Sequence, residues 1–147
     1  MKKLTLSIFI AMFFIVGCQS AATPTPVKTA IPTAVKCTEQ GWADILAYLY
    51  DFDEIVDNVD IKGDADAQVA QLEDIKASIQ AVSIDGCTEG ARISIIDGLD
   101  NRITGMKFLF EGNNASAVNY MHYGLRQIVS ARDGLIKMGI DFQYPKK

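Results

Sequence analysis

From residue 38 onward the apolar residues of this chain recur at steps of three and four, and no two-residue alternation competes. A period near 3.6 gathers such residues on one stripe of an α-helix, so an all-α fold is the way to bury them together. Trp42, Ile45, Leu49, Phe52, Val56 and Val59 make the first stripe. Lys62-Gly63-Asp64-Ala65-Asp66 interrupts it, with an aspartate placed as the next N-cap. Ala65, Gln68, Leu72, Ile75, Ile79 and Val82 form a thinner second stripe that ends at Asp85-Gly86. Ile95, Ile96, Leu99, Ile103, Met106 and Phe110 form a third, and Glu111-Gly112-Asn113-Asn114 is the turn after it. Val118, Met121, Leu125, Ile128, Val129 and Ile136 form the fourth. Gly139 fits the C′ position, with Ile140 folding back in a Schellman arrangement.

Short turns favour antiparallel neighbours, so the expected architecture is an up-down-up-down four-helix bundle made of two αα-hairpins. The hairpins look alike. Lys62-Gly63-Asp64 with Val69, Leu72 and Ile79 aligns with Glu111-Gly112-Asn113 with Val118, Met121 and Ile128. The bundle is expected over residues 37–140, with residues 141–147 as a C-terminal tail. About 100 residues can bury one modest core.

The amino-terminal region reads differently. Lys2 and Lys3 precede an apolar run from Leu4 to Val16, too short for a membrane-spanning helix of ~20 residues and of the length of a signal-peptide core. Ile15-Val16-Gly17-Cys18 closes that run. This ending resembles the lipobox of bacterial lipoproteins, over residues 1–18 only. The resemblance implies a signal helix over residues 1–17, cleavage before Cys18, a diacylglycerol thioether on the Cys18 thiol and, in general, a further fatty acyl group such as palmitate on the new amino terminus. Two or three chains anchor stably where one holds only marginally. The protein would then sit at a membrane or cell surface, lipid-anchored and facing away from the cytoplasm. Residues 19–36 continue as a Thr/Pro/Ala-rich stretch that contains three of the four prolines. Proline removes backbone donors and fixes φ, so this segment reads as a disordered, extended tether.

The cysteine count agrees with that partition. Of three cysteines, lipid on Cys18 would leave Cys37 and Cys87 as a pair in an oxidising compartment. Both are followed by Thr-Glu and both precede a helical stripe, with Thr38 and Thr88 placed as N-caps. In an up-down bundle the first and third helices start at the same end, so a Cys37–Cys87 disulfide is expected. No C-x-x-C and no neighbouring histidine marks either as a redox or metal site.

Charge is unevenly placed. Residues 38–86 hold twelve acids and two bases, and residues 87–147 hold six acids and eight bases. So acidic a domain is a poor partner for nucleic acid. The acidic side reads first as a solvated face partly paired with Arg126 and Arg132, then as a docking surface, and last as a cation site using Asp60, Asp64 and Asp66. An EF-hand is excluded: with Gly63 at the sixth position the twelfth is Val69, where a bidentate glutamate is required.

Catalytic signatures are missing. The sequence has no G-x-S-x-G, no H-E-x-x-H, no P-loop and no C-x-x-C-H. Its single histidine, His122, lies beside the fourth stripe and reads as structural. No cofactor is implied. Tyr50, Phe108 and Tyr123 fall off the inward stripes and, with Asp53 and Asp57 of the acidic side, are the candidate partner-binding residues. Arg92 and Arg132 fall near inward stripes, and antiparallel register would bring Arg132 toward Asp44. The functional expectation is a non-catalytic envelope module that binds protein, with a surface-held small-ligand or divalent-metal carrier as the alternative and a catalytic lipoprotein last.

Overall fold

The structure, a computed structural model, describes residues 37–144. The signal segment, Cys18 and the tether lie outside the described residues, as do residues 145–147. Helices α1 (Trp42–Asp57), α2 (Ala65–Ala81), α3 (Glu89–Phe110) and α4 (Asn114–Lys137) follow one another, with a single 3₁₀ turn at Gly86–Thr88 before α3. Among the described residues there is no strand, and the fold is all-α.

Each helix end has a local cause. α1 starts after Gly41, whose φ of 77° is left-handed and whose added Cβ would lie 2.4 Å from the Ser83 carbonyl oxygen. Only glycine lets the chain turn there against the end of α2. Asp64 caps α2 by accepting from the Ala67 amide at 3.0 Å. Gln68 reaches back across the α1–α2 turn, accepting from the Asp60 amide and donating to its carbonyl. Arg92 of α3 donates to the Gln80 and Val82 carbonyls, satisfying orphan acceptors at the end of α2. α3 closes in a Schellman turn at Gly112 (φ 77°), where the Asn113 amide bonds the Phe108 carbonyl at 2.8 Å. Asn113 then caps α4 through the Ser116 amide. Gly139 (φ 83°) and Ile140 end α4 with the Schellman bonds expected from the sequence, to the Ile136 and Leu135 carbonyls.

The two Cys-Thr-Glu starts depart from expectation. Thr38 caps nothing, since α1 begins four residues later behind Gly41. Thr88 precedes α3 without a side-chain cap bond. Its hydroxyl is spent in the core instead, accepting from the Trp42 indole at 3.1 Å and donating to the Asp85 carbonyl at 2.8 Å. Cys37 and Cys87 form a disulfide with Cα atoms 6.0 Å apart. Asp85 braces it from both sides, one carboxylate oxygen on the Thr38 amide and the other on the Cys87 amide. The Cys87 and Thr38 amides hold the Asp85 carboxyl below its ordinary pKa.

α3 and α4 form the closest pairing. Gly98 lies against Gly124 and Ile128, and Gly105 against Ala117 and Met121, so the two helices run antiparallel. Ala117, Gly124 and Ala131, spaced by seven, carry the buried side of α4 together with Ile128, Arg132 and Leu135. This corrects the stripe read from the sequence. Val118 and Ile136 are exposed (55% and 50%), because small residues let α4 approach α3 on a different face. Elsewhere the stripes hold: Trp42, Ile45, Leu49 and Phe52 of α1, Leu72 and Ile79 of α2, and Ile95, Leu99, Ile103 and Met106 of α3 are buried.

The expected tail is a second correction. Ile140, Phe142 and Tyr144 are buried, at 2%, 0% and 2% exposure. Alternate side chains of an extended segment point one way, which is how three apolar residues in five reach the core without a helix. Phe142 meets Trp42 edge to face at 5.4 Å between ring centroids. The packed domain therefore runs through Tyr144, not to residue 140.

Candidate functional site

A buried polar cluster sits where α1, α3 and the C-terminal segment meet. Asp53 on α1 and Arg102 on α3 form an ion pair, Nη1 to Oδ1 at 2.5 Å. The Tyr144 hydroxyl donates to the other Asp53 oxygen at 2.7 Å. The Arg102 guanidinium lies 5.0 Å above the Phe52 ring, a cation–π geometry. Arg132 of α4 donates to the Tyr144 carbonyl at 2.9 Å and pairs with Asp133. Burial pushes the Tyr144 phenol well above the usual range for tyrosine, opposed by Arg102 and reinforced by Asp53. Asp53 is thus not a surface docking residue: both its oxygens are engaged in the interior. Arg132 does not reach Asp44; its donors go to Asp133 and the Tyr144 backbone. Every buried side-chain polar atom among the described residues has a partner, so this cluster fastens the C-terminal segment to the core.

Beside it, Val56, Asp57, Arg102, Met121, His122 and Leu125 line a recess of about 200 Å³. Asp57 and His122 are exposed at its rim. On the acidic hairpin, Asp60 accepts from the Lys62 amide and Asp64 is engaged as the α2 cap. No group of three or more metal-ligating side chains forms among the described residues, so Asp60, Asp64 and Asp66 are not drawn together into a cation site. Tyr50 is exposed on α1, but its hydroxyl is tied to the Gln143 carbonyl at 3.1 Å.

Tyr123 and, through its contact with Tyr120, Phe108 lie on the α3 and α4 side of the domain. Asn101, Asn119, Tyr120, Tyr123 and Arg126 line an open cleft of about 440 Å³ there. The Phe108 ring packs against that of Tyr120, 5.3 Å away and tilted by 36°. The Asn101 amide nitrogen is held by the Asp97 carbonyl and the Gln127 side-chain oxygen, both at 2.8 Å. That leaves the Asn101 side-chain oxygen to accept. Arg126 forms no ion pair among the described residues, which also removes it from the expected pairing with the acidic face. The cleft has aromatic faces, amide donors and acceptors and one uncommitted cation, and no carboxylate lines it.

Apolar periodicity does not single out Asn101, Asn119, Tyr120 and Arg126 as neighbours in one cleft. The sequence does hold a usable signal: Ala117, Gly124 and Ala131 mark the contact side of α4, and Tyr120, Tyr123 and Arg126 fall away from it at helical spacing. No protein family, curated protein or solved structure matches this chain.

Proposed function

We propose that this chain is a lipid-anchored bacterial envelope protein whose helices form an up-down-up-down bundle, and that the bundle is a non-catalytic binding module. The lipobox-like end of the apolar run supports the anchor, and the Thr/Pro-rich stretch supplies a tether of about 3 Å per residue when extended. A disulfide between Cys37 and Cys87 accords with this, since it leaves Cys18 as the one cysteine to be modified. The bundle reading rests on helix directions: Trp42 meets Thr88 and Asp53 meets Arg102, whereas Lys76 meets Asp100 and Arg92 meets Gln80.

The observation that carries the binding role is the α3–α4 cleft, with two exposed tyrosines, of which Tyr120 packs on Phe108, and an arginine that has no ion-pair partner among the described residues. Interfaces concentrate their energy in tyrosine, tryptophan and arginine. The partner is a component of the envelope around the anchor. The test has two parts. Intact mass and membrane fractionation should show an acylated amino-terminal cysteine in the native chain, and release of an unacylated form in Cys18→Ala. A photo-crosslinking residue at position 123 should capture one envelope component in cells, while one at exposed Ile61 captures nothing. Equal release of the native chain and Cys18→Ala, or equal capture at both positions, overturns the reading.

A further inference from the structure

We infer that the α3–α4 cleft binds a saccharide chain carrying carboxylates. This rests on the binding-module reading above and names the ligand of the same site. The composition of the cleft argues for it. Tyr120 and Tyr123 offer ring faces, whose negative quadrupole attracts the C–H face of a sugar ring. Phe108 packs against the Tyr120 ring, which limits the side-chain freedom lost on binding. Asn101 and Asn119 supply amide groups that match vicinal hydroxyls, and with its nitrogen already bonded twice Asn101 keeps its side-chain oxygen as the acceptor.

Charge decides the class. The chain has eighteen acids against fourteen bases, yet none of those acids lines this cleft. Arg126 stands in it without a carboxylate partner among the described residues, although an exposed guanidinium on an acidic protein is readily paired. A ligand carboxylate supplies the missing partner, with the planar fork geometry that arginine favours. A volume of about 440 Å³ falls in the range of small-molecule sites, about 300–1,000 Å³, and its open shape admits one residue of a longer chain.

The experiment uses the full chain in a detergent without a sugar headgroup. The probes are a trimer of galacturonate, the same trimer as its uncharged methyl ester, and a hexaglutamate peptide. Calorimetry gives affinity, and the side-chain amide NMR signals of Asn101 and Asn119 report where binding occurs. The trimer should bind with millimolar affinity or better and move both amide signals. Tyr123→Ala should weaken the trimer and its ester alike by about tenfold. Arg126→Gln should weaken only the charged trimer, about fivefold to tenfold. Both positions are exposed, and unchanged melting of the variants confirms that the fold is kept. Hexaglutamate binding as tightly as the trimer, or trimer binding indifferent to both substitutions, overturns the assignment. If no sugar binds while the crosslinker at position 123 captures a protein, the saccharide inference falls and the binding module stands. If neither occurs, both fall.

Discussion

Tyr144 joins three parts of the molecule: its hydroxyl meets Asp53 of α1 and Arg102 of α3, and its carbonyl meets Arg132 of α4. Removing only the hydroxyl, as in Tyr144→Phe, should cost about 1.5–3 kcal/mol, the range for a hydrogen bond to a charged group. Asp53→Asn leaves the Arg102 charge buried without its counterion and should cost more, about 3–5 kcal/mol. Replacing both Asp53 and Arg102 by leucine should cost less than the sum of the two single changes, and urea unfolding of the four species measures that coupling. The phenol also predicts a pH dependence. Burial raises its pKa in the folded state, while the unfolded chain ionises at about 10. The native state therefore binds the proton more tightly. Its advantage is whole below about pH 10 and shrinks as pH rises beyond that. Unfolding free energies between about pH 8 and pH 11 should fall more steeply for the native chain than for Tyr144→Phe; parallel curves would contradict the buried phenol.

The four helices are legible in the sequence because periodicity and turn chemistry are local. Gly63, Asp64, Gly112, Asn113 and Gly139 announce ends that the structure places within a residue or two. The facing of α4 is not legible from apolar residues alone. Val118 and Ile136 fit an inward stripe by period, but glycine and alanine form the actual contact face by letting backbones approach. The cost of disturbing that approach is measurable. A Cβ at position 124 would lie 2.3 Å from the Gly98 carbonyl oxygen and 2.7 Å from Arg102 Cγ. Gly124→Ala should therefore destabilise the fold by about 1–3 kcal/mol, as overpacking does. A methyl group at position 134, on the same helix, would meet nothing within 4 Å, so Gly134→Ala should stabilise by up to about 1 kcal/mol through helix propensity. Thermal melts of the two variants should move in opposite directions. The same shift of face explains the outer cleft: Tyr123 reads as outward from the sequence, but the convergence of Tyr120, Tyr123 and Arg126 with Asn101 depends on the α3–α4 register, which no single helix encodes.

At the scale of the whole molecule, the core is closed by residues far apart in the chain. The Tyr144–Asp53 bond spans 91 positions and the disulfide spans 50. The closure by the C-terminal segment is the least visible feature in the sequence, because residues 141–147 carry too few apolar groups to show a period and so read as a tail. Phe142 and Tyr144 matter through what they meet, Trp42 and Asp53, not through local pattern. The disulfide closes a loop of about 50 residues, for which chain entropy gives ~4 kcal/mol. Cys37→Ser with Cys87→Ser should lower the melting temperature by at least about 10 °C, while an unchanged melt would mean that the helices hold without the crosslink.

The position of that crosslink has a mechanical side. Any pull on the chain upstream reaches the folded body at Cys37, ahead of the first turn of α1 behind Gly41. There the load divides through sulfur into Cys87 and onward to α3, the helix most deeply engaged with its neighbours. On the anchored reading proposed above, tension would pass through the sulfur bridge straight into α3, and α1 and α2, which lie inside the crosslinked loop, would be spared being peeled away turn by turn.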